Sequence, residues 1–185
     1  MRVFGIDPGS ARTGYGCVQT DGTRHRLIVC GAIASPASRS FPQKLQTIHA
    51  DLSRLLAKHR PDCVAIENLF HAVNARSALK LGHARGVAML AAVEAGVEIV
   101  EYTPAEVKQA VVGYGRAEKS QVQAMVQLLL GLAEPPMPHD ASDALAIAIC
   151  HVHRMTGSGA TVPPLIRRSH ATRGTTSWRA FRLPR

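Results

Sequence analysis

Acidic residues are scarce in this chain. Its 185 residues hold 13 Asp and Glu against 22 Lys and Arg, a net charge of +9. A surplus of that sign favours a polyanionic partner such as nucleic acid. Cysteine is sparse as well: only Cys17, Cys30, Cys63 and Cys150, none at CxxC spacing and all among apolar neighbours. That argues against a disulfide framework and a zinc site, and the four read as reduced core residues of a cytoplasmic protein. No charged-then-apolar leader precedes the strand-like MRVFGID, and no apolar stretch is long enough to span a bilayer, so neither a signal segment nor a membrane role is expected.

What is present is ordinary globular material through about residue 156, with 46% hydrophobic and 19% charged residues overall. Such a length suits one domain. Residues 1–7 read as a buried strand. Gly9, Gly14 and Gly16 then mark a turn, the strand resumes over 15–19, and 26–34 gives a third, so an antiparallel meander is expected. Leu45, Ile48, Leu52, Leu55 and Leu56 follow helical spacing until Pro61. CVAIE at 63–67 is a short apolar strand. Asn74 caps a long helix that Gly96 stops, followed by a strand over 97–101 and a short helix opened by Thr103-Pro104. Val122, Met125, Val126, Leu129 and Leu130 form an amphipathic stripe. Past Pro135, Pro136 and Pro138, a last helix from about Asp140 to His153 is apolar on nearly every side, hence buried. The expected fold class is α/β, a mixed sheet covered by helices. From about Gly157 the chain turns Gly-, Ser-, Thr- and Pro-rich, with six arginines and no acid. The segment 157–185 reads as a mobile basic arm that either grips DNA or merely solubilises.

Among the few acids, four sit beside apolar runs. Asp7 ends the first strand, Glu67 ends CVAIE, and Asp140 and Asp143 open the buried last helix one turn apart, on one face. Each has a plain structural alternative. Asp-Pro-Gly is good turn chemistry, Glu67 could be a strand-end polar group, Asp140 could be an N-cap, and Asp143 suits the helix dipole. Together they suggest more. Carboxylates about 4 Å apart repel by roughly 4 kcal/mol at an effective dielectric near 20, so four ionised together call for cations. An all-oxygen set suits Mg²⁺ or Mn²⁺, and a pair of such ions serves phosphodiester hydrolysis.

The stretches Gly5-Ile6-Asp7-Pro8-Gly9, Thr13-Gly14-Tyr15-Gly16, Ile66-Glu67-Asn68-Leu69-Phe70, NARSALKLGHARG from Asn74, VVGYGRAEKSQV from Val111 and DASDALAIAI from Asp140 resemble the RuvC family of bacterial Holliday-junction resolvases. The resemblance covers about residues 1–155 in order. It implies a ribonuclease-H-like five-stranded mixed sheet and a homodimer. It also implies paired symmetric nicks in four-way DNA junctions during recombination and repair, with the branch-migration proteins RuvA and RuvB as partners. Carried over by position, Asp7, Glu67, Asp140 and Asp143 are the catalytic carboxylates, expected to hold two Mg²⁺ per subunit (Mn²⁺ substituting) with Asp7 bridging. Phe70 matches an aromatic pushed against junction bases, and Lys108 and Lys119 match basic residues near the scissile phosphate. Val73 stands where some members carry lysine. His139 is either a solvated neighbour of Asp140 or a ligand or base.

Further DNA contacts are read from spacing. Arg76, Lys80 and His83 share one helix face that could follow a phosphate backbone or simply be solvated. Arg116 lies in the flexible loop Gly113-Tyr114-Gly115-Arg116 before Lys119. Gly82 and Gly86 allow close approach, either within the monomer or between subunits. Two rival readings remain: a junction-binding protein with a dead site, against which the full carboxylate set speaks, and an ATP phosphotransferase of the actin and hexokinase type, for which the chain is too short.

Overall fold

The computed structural model describes residues 1–68 and 74–157. Phe70, Val73 and the basic arm lie outside the described residues.

The first three strands are β1 (Arg2–Asp7), β2 (Arg12–Thr20) and β3 (His25–Ala34), joined as the expected antiparallel meander. Helix α1 (Phe41–His59) follows, entered through Pro42 in its first turn. Then come β4 (Cys63–Glu67), α2 (Ala75–Glu94), β5 (Glu98–Tyr102), α3 (Pro104–Val112), α4 (Lys119–Leu129) and α5 (His139–Gly157). The sheet order is β3-β2-β1-β4-β5, with β4 parallel to both β1 and β5. β1 is therefore central, and the C-terminal ends of β1 and β4 lie side by side.

Strand alternation divides the core in two. Phe4, Ile6, Val64, Ile66 and Ile99 face α1 and α2. Val3, Val18, Ala65, Val100 and Tyr102 face α3, α4 and α5. Helix α5 is the element most thoroughly enclosed: Ala144 through Cys150 are all buried. This accounts for the absence of a polar face in its sequence.

One expectation needs correcting. Gly14 and Gly16 are not turn residues but lie inside β2. Their reason for being glycine is space. A Cβ on Gly14 would stand 2.0 Å from the carbonyl oxygen of Asp140, and one on Gly16 would stand 2.6 Å from a Leu145 methyl. On β1, a Cβ at Gly5 would stand 1.9 Å from the Ala144 carbonyl oxygen. The bare patch on β1 and β2 thus seats the first turns of α5 directly against the sheet, where no side chain larger than hydrogen fits. That seat brings the acids of α5 to the end of β1.

Asn74 caps α2 as expected, its side chain accepting from the Ser77 backbone N–H. Gly96 sits at φ +67° after the helix. Cys17, Cys63 and Cys150 are buried and Cys30 is half-buried; all four are free thiols. Among the described residues no helix is long and apolar enough to cross a membrane.

Candidate active site

Three elements end at one place. Asp7 closes β1 and Glu67 closes β4, both on the α5 side of the sheet, while Asp143 lies in the second turn of α5. All three line one cavity of about 280 Å³ together with Lys108 of α3 and Lys119, the first residue of α4. Pro104, Val107, Val122, Ala146 and Ile147 form its apolar walls. The first turns of α3 and α4 also open here, and helix N-termini add partial positive charge suited to a phosphate. Thr103 caps α3 by accepting from the Glu106 N–H, and the Glu106 carboxylate accepts from the Thr103 N–H in return.

The electrostatics follow from crowding. Burial first, then Asp143 and Asp140, push the Asp7 carboxyl up to about 6. Burial and then Asp7 and Asp143 push Glu67 up to about 8. A hydrogen bond between the two favours the proton on Glu67, whose carboxyl donates to the Asp7 carboxylate. Lys119 Nζ lies 2.5 Å from Asp143 Oδ2, and that hydrogen bond raises the lysine's pKa. With the proton held on Glu67, the charges of Asp7 and Asp143 face those of Lys108 and Lys119, and loss of that proton leaves an excess of negative charge for a cation to offset.

Asp140 stands one turn earlier on α5. It is close enough to raise Asp7 but does not line the cavity, and it faces Arg12 at the start of β2. His139 is exposed and is not among the cavity walls. Arg116 is exposed in the loop before α4, and it too is absent from those walls. Arg76, Lys80 and His83 are exposed along α2. Lys80 Nζ lies 5.8 Å above the Phe41 ring and His83 meets the same ring edge-on, so this face is partly anchored on the start of α1. Arg12 was missed by sequence reasoning, because only the β1–β2 register brings it to Asp140.

The donor set is all oxygen and partly desolvated, which fits a hard divalent cation. As placed, no three or more His, Cys, Asp or Glu side chains among the described residues are close enough to hold a single ion. The carboxylates share a cavity, but a shared cation would require them to draw closer together than they stand.

A ribonuclease-H-like sheet with acids at the ends of its first and fourth strands and on its last helix defines the class of carboxylate-dependent nucleases. Comparison with known proteins narrows that class. The family model described as crossover junction endodeoxyribonuclease RuvC matches residues 3–151. The RuvC of Koribacter versatilis is 55% identical over 154 residues, covering 83% of this chain and 93% of its own. That of Alkaliphilus oremlandii is 52% identical over 153 residues with the same coverages. The structure of T. thermophilus RuvC in complex with Holliday junction substrate superposes with a TM-score of 0.81 at 38% identity, over 85% of this chain and 96% of that one. The chain belongs to the RuvC family of crossover junction endodeoxyribonucleases.

Proposed function

We propose that this chain resolves four-way DNA junctions by paired, symmetric hydrolysis of phosphodiester bonds, serving recombination and repair with RuvA and RuvB as partners. The observation that carries the chemistry is the convergence of Asp7, Glu67 and Asp143 on one cavity beside Lys108 and Lys119. Asp7, Glu67, Asp140 and Asp143 would hold Mg²⁺ or Mn²⁺, two ions per subunit in the fullest arrangement. Bound there, the cation supplies Lewis-acid polarisation of the phosphate and a more acidic water. Asp7, Glu67 and Asp143 would carry their full charge once a cation offsets their crowding, and would orient the water beside the phosphate. Lys119, hydrogen-bonded to Asp143, offsets charge that develops on phosphate oxygens. Lys108, Arg116, Arg76 and Lys80 fix the DNA backbone, and Phe70 stacks on junction bases.

The test is a synthetic four-way junction and a linear duplex of the same sequence, each incubated with Mg²⁺. Paired nicks in the junction alone are expected. Binding without nicking would instead support a junction-binding protein, and equal cutting of the duplex would remove junction selectivity.

The homodimer has a candidate surface. Ala78, Leu79, Gly82, His83, Gly86, Val87 and Leu90 form a shallow apolar groove along α2, with Leu79 65% and Leu90 50% exposed. Among the described residues nothing lies within 4 Å of the Cβ positions of Gly82 or Gly86, so packing against those residues does not call for glycine there. They leave room for the same stripe of a second copy, the self-complementary contact a two-fold dimer requires. Leu79→Glu is expected to give monomers by light scattering and to replace paired nicks with slow single ones. A variant that stays dimeric would place the interface elsewhere.

A further inference from the structure

We infer that Arg12 is a further DNA contact whose guanidinium grips a backbone phosphate next to the one that is cut, held ready for it by Asp140. The inference rests on the nuclease reading above and extends it to a residue on β2.

Arg12 opens β2, where Asp7 stands opposite Gly14 in the β1–β2 ladder. Alternation puts Arg12 on the same face as Gly14, two residues on. That face carries the start of α5, because Gly14 lies directly beneath the Asp140 backbone. The Arg12 side chain therefore rises beside the catalytic acids and not on the far side of the sheet. Its Nε lies 3.6 Å from Asp140 Oδ2, and the side chain is 57% exposed. At that separation the contact is Coulombic, longer than an ordinary hydrogen bond. Among the described residues no protein group hydrogen-bonds to its two terminal amino groups.

An exposed ion pair of this kind contributes little to stability, so support of the fold does not explain it. What it does provide is orientation. A guanidinium steadied along one edge and open at its fork presents the paired N–H groups that phosphate oxygens match. The arrangement also parallels one already in the site. Successive acids on α5 each hold a cation, Asp143 holding Lys119 and Asp140 holding Arg12. Lys119 and Lys108 reach the cavity from α4 and α3, whereas Arg12 comes from β2. A DNA strand laid across the carboxylates thus meets positive charge from both sides, which fixes its path as well as its affinity.

The experiment compares wild type, Arg12→Gln and Arg12→Lys as full chains. Binding of a fluorescent four-way junction in EDTA is measured between about 50 and 200 mM salt. A lost phosphate contact lowers the slope of log affinity against log salt by about 0.9. Across that range wild type should therefore lose about threefold more affinity than Arg12→Gln, and Arg12→Lys should keep the wild-type slope. Single-turnover nicking at saturating protein should fall in Arg12→Gln and be largely recovered in Arg12→Lys. An unchanged salt slope in Arg12→Gln overturns the inference. So does slowed nicking with unchanged binding, because Arg12 would then act only through Asp140. Failure of wild type to nick the junction with Mg²⁺ is a separate outcome. It sinks the nuclease reading, while the salt comparison still decides for or against Arg12 as a phosphate contact.

Discussion

Replacing Asp7 with Asn is expected to lower junction nicking by about a thousandfold or more, the scale on which losing a group that organises transition-state charge is felt, while junction affinity in EDTA stays within a few-fold. The position explains the size. Asp7 ends the central strand, with β2 on one side and β4 on the other. Each of the other three acids acts on it: Asp143 and Asp140 through repulsion, and Glu67 through a hydrogen bond. Asn keeps the shape and removes the charge, so it spares the fold and takes away the anionic oxygen on which a shared cation depends. The lysines and arginines proposed to hold DNA are untouched, which is why binding should survive. Single-turnover nicking and a gel-shift titration on the same preparation check both halves. Nicking at a tenth of the wild-type rate would remove Asp7 from the centre of the mechanism.

The layout was legible where periodicity and caps act locally. The helix stripe at Leu45–Leu56, the Asn74 cap, Gly96 after α2 and the nearly all-round apolar surface of α5 all read from short windows of chain and stand as expected. The acids were legible as strand-end and helix-start residues, but their meeting is a property of strand order. Nothing in the spacing of Asp7 and Glu67 shows that β4 pairs with β1; the family resemblance supplied it. Gly14 and Gly16 were misread for the same reason. Their lack of a side chain serves a helix more than 120 residues away in sequence, whereas local turn chemistry offers a simpler account of any glycine pair. Arg12 stayed hidden because a lone arginine after a turn looks solvated until the ladder sets it beside Asp140.

The same crowding that would serve catalysis should make the cation-free protein less stable as pH rises. Glu67 is pushed up to about 8 from an ordinary value near 4.5, and Asp7 up to about 6 from near 3.8. Both are carboxyls whose folded pKa lies above the unfolded one, so the folded state holds protons that the unfolded state releases. Their contribution to stability is fully present below about pH 4 and is lost as pH climbs through about 6 and then about 8. Every tenfold difference in proton affinity between the two states corresponds to about 1.4 kcal/mol, so a few kcal/mol are at stake, or on the order of 5–10 °C in melting temperature for a domain of this size. A divalent cation takes over the role of the protons, so Mg²⁺ should restore the melting temperature at pH 8 and do little at pH 5. Glu67→Gln removes the larger titration. In EDTA it should melt above wild type at pH 8, show a flatter profile between pH 4 and pH 8, and respond less to Mg²⁺. Melting curves of both proteins in EDTA and in Mg²⁺ across that range provide the check. A wild-type melting temperature that rises steadily from pH 5 to pH 8 without cation, matched by the same rise in Glu67→Gln, would mean that these carboxyls do not crowd one another in solution.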